Sequence, residues 1–169
     1  GSTLIANGSQ LYFSNTGTFE NYGSIVNSAR FLLGYPAAGP TMNNYGSFEF
    51  ITAGSKLEMY SSGANFYNQA GGSVIVTLPN ASDKAYVLSE SATSNGKYIH
   101  AGGNPITFNQ GKLVFAPPGG VGATLDDALF ASLFGPINAN SELRLAGGLN
   151  SIALTNPLTD LSRVRLSND

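Results

Sequence analysis

The sequence predicts an all-β chain folded as a parallel β-helix, or β-solenoid, of about four to six coils with short strands. Two observations lead to this prediction. A short unit recurs along the chain, and within each unit apolar residues alternate with polar ones. The stretch 15–27, NTGTFENYGSIVN, contains both features, because Asn, Gly, a hydroxyl residue and an apolar residue follow one another twice.

The repeat is clearest when three segments are aligned. The segments that begin at Gly8 and Gly54 share a Gly-Ser start, two alternating apolar residues and a later Phe-x-Asn. Between them, the letters NYGS from Asn44 match the letters NYGS from Asn21. A looser fourth copy ends at 107–115. Self-similarity at a period of this size is typical of chains that stack one structural unit on the next.

Apolar residues at every second position predict strands that are half buried. Aromatic and β-branched residues are common at these positions, as strands favour. Each predicted strand is only about four to five residues long, so one unit cannot bury a face alone and stacking of units must complete the core. The alternating positions are Leu11, Phe13, Phe48, Phe50, Leu57, Met59, Val74, Val76, Leu113 and Phe115.

Asparagine and glycine recur between the predicted strands, and we interpret them as corners. Both residues tolerate the left-handed backbone conformation that a sharp corner requires. Asparagines at equivalent corners of stacked coils can also form a ladder of side-chain amide hydrogen bonds. Ordinary hairpin turns of a β-sandwich or jelly roll are the alternative explanation, because they also favour Asn and Gly. The predicted corner residues are Asn15, Gly17, Asn21, Gly23, Asn44, Gly46, Asn68 and Gly72.

The chain divides into four segments by this pattern. The first resembles a cleavage scar left by a fusion tag, and the second carries the repeats. The third is a Gly/Pro loop with a short helix, and the fourth returns to alternating apolar residues that continue or cap the solenoid. Their bounds are 1–2, 3–116, 117–138 and 139–169.

A short helix is predicted near 125–134, where apolar residues recur at helical spacing. Thr124 is the expected N-cap, and Asp126 and Asp127 place acids in the first turn. The preceding stretch 120–125 matches only the first two glycines of a G-x-G-x-x-G phosphate loop, and no P-loop Lys-Ser/Thr follows. We therefore predict a helix that interrupts or caps the solenoid, with nucleotide binding as a minor alternative.

Composition argues against several classes of function. Eight Lys and Arg against ten Asp and Glu give a net charge of -2, and no basic stripe is present for nucleic acid or anionic membranes. The chain has no cysteine, which excludes disulfides and Cys zinc sites. His100 is the single histidine, and we interpret it as a polar loop residue. We predict no cofactor, no metal, no nucleic-acid partner and no insertion into a membrane.

Carboxylates offer the one route to catalysis that the sequence suggests. A glycoside hydrolase needs two carboxyl groups that face each other across a groove. Glu20 with Glu49 or Glu58 could meet on one outer face if the coils stack in register, and Asp126 and Asp127 are adjacent. Solvated surface charge explains these residues more simply. We therefore predict no enzymatic activity and keep a polysaccharide-degrading enzyme as an alternative.

Tyrosines at outward positions are the candidate ligand-binding residues. Tyr22 and Tyr45 hold the same place in the repeat, so stacking aligns them on one edge. Tyrosine offers a flat apolar ring with a hydrogen-bonding rim, which suits sugar rings and protein partners. Such rows can equally shield strand edges or pack against a neighbouring subunit. The candidates are Tyr12, Tyr22, Tyr45, Tyr60 and Tyr67.

The repeat style resembles that of large bacterial surface adhesins. The Asn-x-Gly-Ser/Thr-apolar series at Asn15, Asn21 and Asn44, with FYNQAGGSV at 66–74, is similar to the β-helical repeats of filamentous-haemagglutinin-like proteins and autotransporter passenger domains. The β-solenoids of bacteriophage tail spikes and fibres are also similar. Both resemblances imply an extracellular, cell-surface or virion location, contact with a host-surface glycan or protein, and no cofactor.

We therefore expect a non-enzymatic adhesion or receptor-binding module that recognises host glycan or protein through a repeat face. One alternative is a structural or receptor-binding segment of a phage tail spike or fibre, which could form a homotrimer. The other alternative is a fragment of a β-helical polysaccharide-degrading enzyme.

Overall fold

The structure, a computed structural model, describes residues 2–6, 8, 10–36, 39–91, 93–146, 152–155 and 163–167. The first residue of the predicted tag scar, Gly1, lies outside these ranges. Within them the chain is mostly β-strand with one helix. The elements are β1 (Thr3–Ala6), β2 (Gln10–Phe13), β3 (Thr18–Asn21), β4 (Ser24–Asn27), β5 (Arg30–Leu33), β6 (Thr41–Asn44), β7 (Ser47–Phe50), β8 (Lys56–Met59), β9 (Asn65–Gln69), β10 (Ser73–Thr77), β11 (Lys84–Leu88), β12 (Tyr98–Ala101), β13 (Thr107–Phe115), β14 (Leu125–Asp126), α1 (Asp127–Leu133), β15 (Ser141–Ala146), β16 (Ile152–Ala153) and β17 (Val164–Ser167).

Strands that are separated by two others along the chain lie side by side and pair in parallel. β1, β4, β7 and β10 form a first row, β2, β5, β8 and β11 a second row, and β3, β6, β9 and β12 a third row. The register repeats from pair to pair, since Asn21 lies opposite Asn44 and Asn44 lies opposite Asn68. The prediction of a mostly β chain with parallel strands is confirmed.

The nine-residue strand β13 joins the first two rows. Its first half pairs with β10 and its second half with β11, so the two rows belong to one sheet of eleven strands. Gly111 lies between the halves with a φ of 100°, which residues with a side chain rarely adopt. β15 pairs with β13 and β17 pairs with β15, so parallel pairing continues after the helix.

Alternation along the short strands directs one set of side chains into a common apolar core. In β7, Phe48 and Phe50 are fully buried, whereas Ser47 and Glu49 are not. Aromatic rings follow one another through this core with centroids between 5.1 and 5.8 Å apart. Three consecutive strands, one from each row, make up a triplet. The core is therefore continuous from one triplet to the next. The series of rings is Phe31, Phe48, Phe66, Tyr98, Phe115 and Phe134.

The prediction of left-handed corners is wrong. None of Gly17, Gly23, Gly46 and Gly72 has a positive φ, and neither does any described residue other than glycine. Close approach of the neighbouring backbone is the reason for glycine at three of these positions. A Cβ at Gly46 would lie 2.0 Å from the carbonyl oxygen of Gly23, and one at Gly72 would lie 2.0 Å from that of Asn44. Stacking, and not the bend itself, requires these glycines.

The helix begins later than the sequence predicts. Asp126, and not Thr124, is the N-cap, since its carboxylate accepts the amide of Leu129 at 2.8 Å. Phe130 and Leu133 are buried in the core. Because β15 and β17 continue the strand pairing, the helix interrupts the pattern. In the part of the chain that the structure describes, no helix has the length and hydrophobicity needed to cross a bilayer.

Candidate functional site

An asparagine ladder holds the corner between the third and first rows in register. Asn21 Nδ2 donates to Asn44 Oδ1 at 2.7 Å, and Asn44 Nδ2 donates to Asn68 Oδ1 at 3.0 Å. Asn68 Nδ2 in turn donates to the carbonyl of Asn104 at 3.0 Å. These three ladder residues are buried, whereas Asn15 is exposed and accepts a backbone amide two residues further on. Asn15 therefore forms a local turn outside the ladder.

Two tyrosines lie on the outside of this corner, and we call them the tyrosine step. Tyr22 and Tyr45 directly follow Asn21 and Asn44. Their rings stack with centroids 4.8 Å apart and an interplanar angle of 5°. Tyr22 is 68% exposed, and its hydroxyl donates to Glu20 Oε2 at 2.9 Å. This hydrogen bond to a carboxylate raises the pKa of Tyr22 above its ordinary value.

A second aromatic group, which we call the tyrosine cluster, lies near the ends of β2, β5 and β8. It consists of Tyr12, Tyr35 and Tyr60. The ring of Tyr35 lies between the other two, at centroid distances of 5.2 Å and 4.9 Å. The rings are tilted or T-shaped relative to one another, unlike the parallel rings of the tyrosine step. The structure therefore distributes the tyrosines predicted from the sequence over separate surfaces.

Tyr67 lies on the outer face of the third row, apart from the other tyrosines. Its register partners are Asn43 on β6 and Ile99 on β12. A shallow groove opens beside its ring, next to the connection 89–97 that leads from β11 to β12. The groove is lined by Gly63, Asn65, Tyr67, Asn95, Lys97 and Ile99.

A charged network covers the second row. Glu58 on β8 is fully buried, and its Oε2 accepts from Arg30 at 2.7 and 3.1 Å. Arg30 also contacts Glu90 at 2.9 Å, and Glu90 pairs with Lys56. The hydrogen bond from Lys56, together with the charge of Arg30, holds the pKa of Glu90 below its ordinary value. Glu58 is therefore bound to the guanidinium group of Arg30 and shielded from solvent.

The carboxylates considered for catalysis are not brought together. Glu20 lies on β3 in the third row, Glu49 on β7 in the first row and Glu58 on β8 in the second row. Asp126 caps the helix, and Asp127 accepts hydrogen bonds from a backbone amide and a hydroxyl. Within the described ranges, no three side chains of His, Asp or Glu are placed to hold a metal ion.

His100 lies on strand β12, and the prediction of a loop position is wrong. Its register partner is the ladder residue Asn68. Partial burial lowers the pKa of His100 below its ordinary value, because burial disfavours the charged imidazolium.

Comparison with known proteins assigns no family to this chain. No family model, no curated protein and no solved structure matches it. Function is therefore inferred from the residues and from their geometry.

Sequence reasoning missed Tyr35 and the residues around Tyr67. Tyr35 belongs to the connection 34–40, which the repeat alignment leaves unmatched, and Lys97 belongs to another such connection, 89–97. Both connections lead from the second row to the third. Aromatic and polar residues within insertions of a repeat are the signal that could have found them, because insertions map to loops on one side of a stack.

Proposed function

We propose that this chain is a non-enzymatic adhesion or receptor-binding segment of an extracellular bacterial surface protein or of a virion spike. Its strands form a β-solenoid whose coils stack into a stiff shaft, and a repeat face binds a host glycan or protein. Pairing of each strand with the third strand further along the chain supports the solenoid, because a chain that winds repeatedly around one core produces this order.

The tyrosine step is the observation that carries the proposal. Tyr45 stacks in parallel against the ring of Tyr22 with centroids 4.8 Å apart, and Tyr22 is 68% exposed, so its ring is an apolar platform that is supported from one side. The buried amides of Asn21 and Asn44 hold the backbone beneath the rings. A platform that is already ordered loses little conformational entropy when a ligand binds. Sugar rings can pack an apolar face on such a platform while their hydroxyl groups bond to its polar rim.

The placement of the carboxylates supports binding without catalysis. A glycoside hydrolase needs two carboxyl groups about 5 to 10 Å apart that flank the glycosidic bond to be cleaved. Glu20, Glu49 and Glu58 lie on three different rows, and Glu58 is held by a guanidinium group. The chain therefore offers aromatic surface to a glycan but no opposed pair of these three acids.

A glycan and polysaccharide array tests the proposal. It is probed with the purified chain and with a Tyr22→Ala, Tyr45→Ala double variant whose circular dichroism spectrum matches the parent. We expect the double variant to lose at least about tenfold in affinity for any sugar that the parent binds. A Tyr12→Ala, Tyr35→Ala double variant is the matched control, since it removes exposed rings and leaves the tyrosine step intact.

Two results would contradict the proposal as stated. Binding that only the control variant loses would move the site to the tyrosine cluster. No binding to any sugar, together with a stable trimer in light scattering, would indicate a structural spike segment.

A further inference from the structure

Given that the chain binds glycans as proposed above, we infer that the groove beside Tyr67 binds a sugar residue that carries a carboxylate or sulfate group. We call this feature the anion groove. Its volume is about 240 Å³. That is smaller than the roughly 300 to 1,000 Å³ of pockets for drug-sized ligands, so the groove suits one substituted ring of a longer glycan.

One wall of the anion groove is apolar. Tyr67 and Ile99 are register partners on adjacent strands, so their backbones are about 4.8 Å apart. Both side chains are half buried on the outer face of the third row. Together they provide an aromatic face and an aliphatic edge, against which the C–H groups of a sugar ring can pack.

The polar rim of the anion groove is held in place by hydrogen bonds. Asn95 Oδ1 accepts from the amide of Gly63 at 2.9 Å and from the hydroxyl of Ser62 at 3.2 Å. Since its carbonyl oxygen is engaged, the amide nitrogen of Asn95 is oriented as a donor. Asn65 Oδ1 accepts from the backbone amide of Lys97 at 3.0 Å, which fixes the start of β12 against β9.

The charge of the anion groove is positive. Lys97 is exposed, and it forms no ion pair among the residues that the structure describes. Among the residues that the structure describes, no carboxylate lines the groove. The one carboxylate on the third-row strands is Glu20, which lies two strands from β9, about 10 Å away, and accepts from Tyr22. An ammonium group with neighbouring amide and hydroxyl donors binds an anionic oxygen group of a ligand more strongly than it binds a neutral hydroxyl group of a ligand.

The anion groove lies near the start of the third-row strands β9 and β12, and the tyrosine step lies at the corner that follows the end of β3 and β6. Tyr45 follows β6, and β6 is the strand that pairs with β9. A glycan that packs on the step can therefore extend along the third row to the groove. In this arrangement the step supplies apolar contact, and the groove selects for charge.

Titration with matched pairs of sugars tests this inference. Sialyllactose and lactose differ by a carboxylated residue, and a sulfated dextran oligosaccharide differs from plain dextran of equal length by its sulfates. NMR titration of the ¹⁵N-labelled chain detects weak binding and identifies the affected amides. We expect the charged member of at least one pair to bind at least about tenfold more tightly, with shifts at Asn65, Tyr67, Asn95 and Lys97. The affinity should decrease as salt is added.

Two lysine variants locate the effect. Lys97→Gln removes the charge but keeps the backbone hydrogen bond to Asn65, and it should lower affinity for the charged sugar about tenfold with no change for the neutral one. Lys84→Gln is the matched control, because Lys84 on β11 also forms no ion pair in the described part of the chain. It should bind like the parent.

The possible outcomes separate this inference from the proposed function. Equal binding of charged and neutral sugars, or equal losses in the two lysine variants, would overturn the anion groove while sugar binding through the tyrosine step still stands. Absence of all sugar binding would overturn both. An acidic peptide that competes as well as the charged sugar would overturn the choice of a sugar as the ligand.

Discussion

Two kinds of corner in this chain differ in length and in content. The corner from the third row to the first, which we call the constant corner, has two or three residues at 22–23, 45–46 and 70–72, and it lengthens to 102–106 only before β13. The corner from the second row to the third, which we call the variable corner, changes from one triplet to the next, and it comprises 14–17, 34–40, 60–64 and 89–97.

Neighbouring backbones touch at the constant corner. Gly46 lies directly against the carbonyl of Gly23, and the ladder amides join Asn21 to Asn44. A side chain at Gly46 would not fit beside this carbonyl. The letters NYGS recur in the sequence at this corner, where the neighbouring backbones are in contact.

The variable corner also has close backbone approaches, at Gly39 and Gly96, but its connections differ in length and it carries most of the chemistry. It contributes Tyr35 and Tyr60 to the tyrosine cluster, Glu90 to the charged network and Lys97 to the anion groove. Loops placed on a rigid scaffold tolerate insertions and often carry binding residues. The constant corner therefore keeps adjacent strands at one spacing, whereas the variable corner is available for recognition.

Gly46→Ala should have the largest effect. The new methyl group would lie 2.0 Å from the carbonyl oxygen of Gly23, so the backbone must shift, and we expect a loss of about 3 kcal/mol in the free energy of unfolding. Urea unfolding followed by circular dichroism measures it. Gly17→Ala at the variable corner is the control, because its nearest neighbour is 3.4 Å away and the loss should stay below about 1 kcal/mol. Equal losses would remove the distinction between the corners.

Asn44→Ala should have the next largest effect. It removes two ladder hydrogen bonds and leaves Asn68 Oδ1 buried without the donor it has in the structure, which should cost about 2 kcal/mol. Asn15→Ala, at an exposed local turn, should cost less than about 1 kcal/mol. The same urea titration compares them. If the ladder contributed nothing to stability, both variants would show the same small loss in the free energy of unfolding.

Glu90→Gln should change the pH dependence of stability at the variable corner. Because the pKa of Glu90 is lowered from 4.5, its ion pairs stabilise the folded chain above that pH, and this contribution disappears as the pH falls through the lower folded-state value. The side chain is 46% exposed, so the contribution is about 0.2 to 1 kcal/mol. Between about pH 7 and about pH 3 the parent should lose more stability than the variant.

Glu49→Gln is the control for this pH experiment, since Glu49 lies on β7 and forms no ion pair in the described ranges. The Glu49→Gln variant should lose as much stability between about pH 7 and about pH 3 as the parent does. A Glu90→Gln variant with the acid sensitivity of the parent would mean that the network does not hold the connection 89–97 in solution.

Glu20→Gln should have the smallest effect, confined to the tyrosine step. Loss of the carboxylate acceptor should lower the pKa of Tyr22 toward 10.0 without a measurable change in stability, because the residue lies at the surface. NMR titration of tyrosine ring carbons measures this shift. The pKa of Tyr22 would be the same in parent and variant if the hydrogen bond to Glu20 did not form in solution.

Much of the fold could be predicted from local pattern. Alternation in segments such as 47–50 and 73–77 predicts strands with one buried face, and the structure places them so. The reason for Gly46 and the cap at Asp126 could not be predicted in the same way. The first depends on a backbone 23 positions away in sequence, and the second on where α1 starts after β14.

The candidate site was predictable only where the repeat itself carries it. Tyr22 and Tyr45 occupy equal places in the repeat, and in the structure their rings stack. Tyr12 and Tyr67 were grouped with them by their outward phase alone, and the structure places them on other surfaces. The position of a residue in the alternating pattern indicates whether its side chain faces out. It does not indicate to which row the residue belongs, because insertions change the length of the corners.

The sequence by itself determined the strands, the recurring corners and the alternation that fills the core, because these depend on residues within one repeat. The tertiary structure decided which side chains meet across repeats. It put Glu20, Glu49 and Glu58 on separate rows, joined Arg30 to a buried Glu58, and placed Lys97 beside Tyr67. These contacts depend on the register of stacked strands and on the path of the long connections, and both are set by packing between segments far apart in the chain.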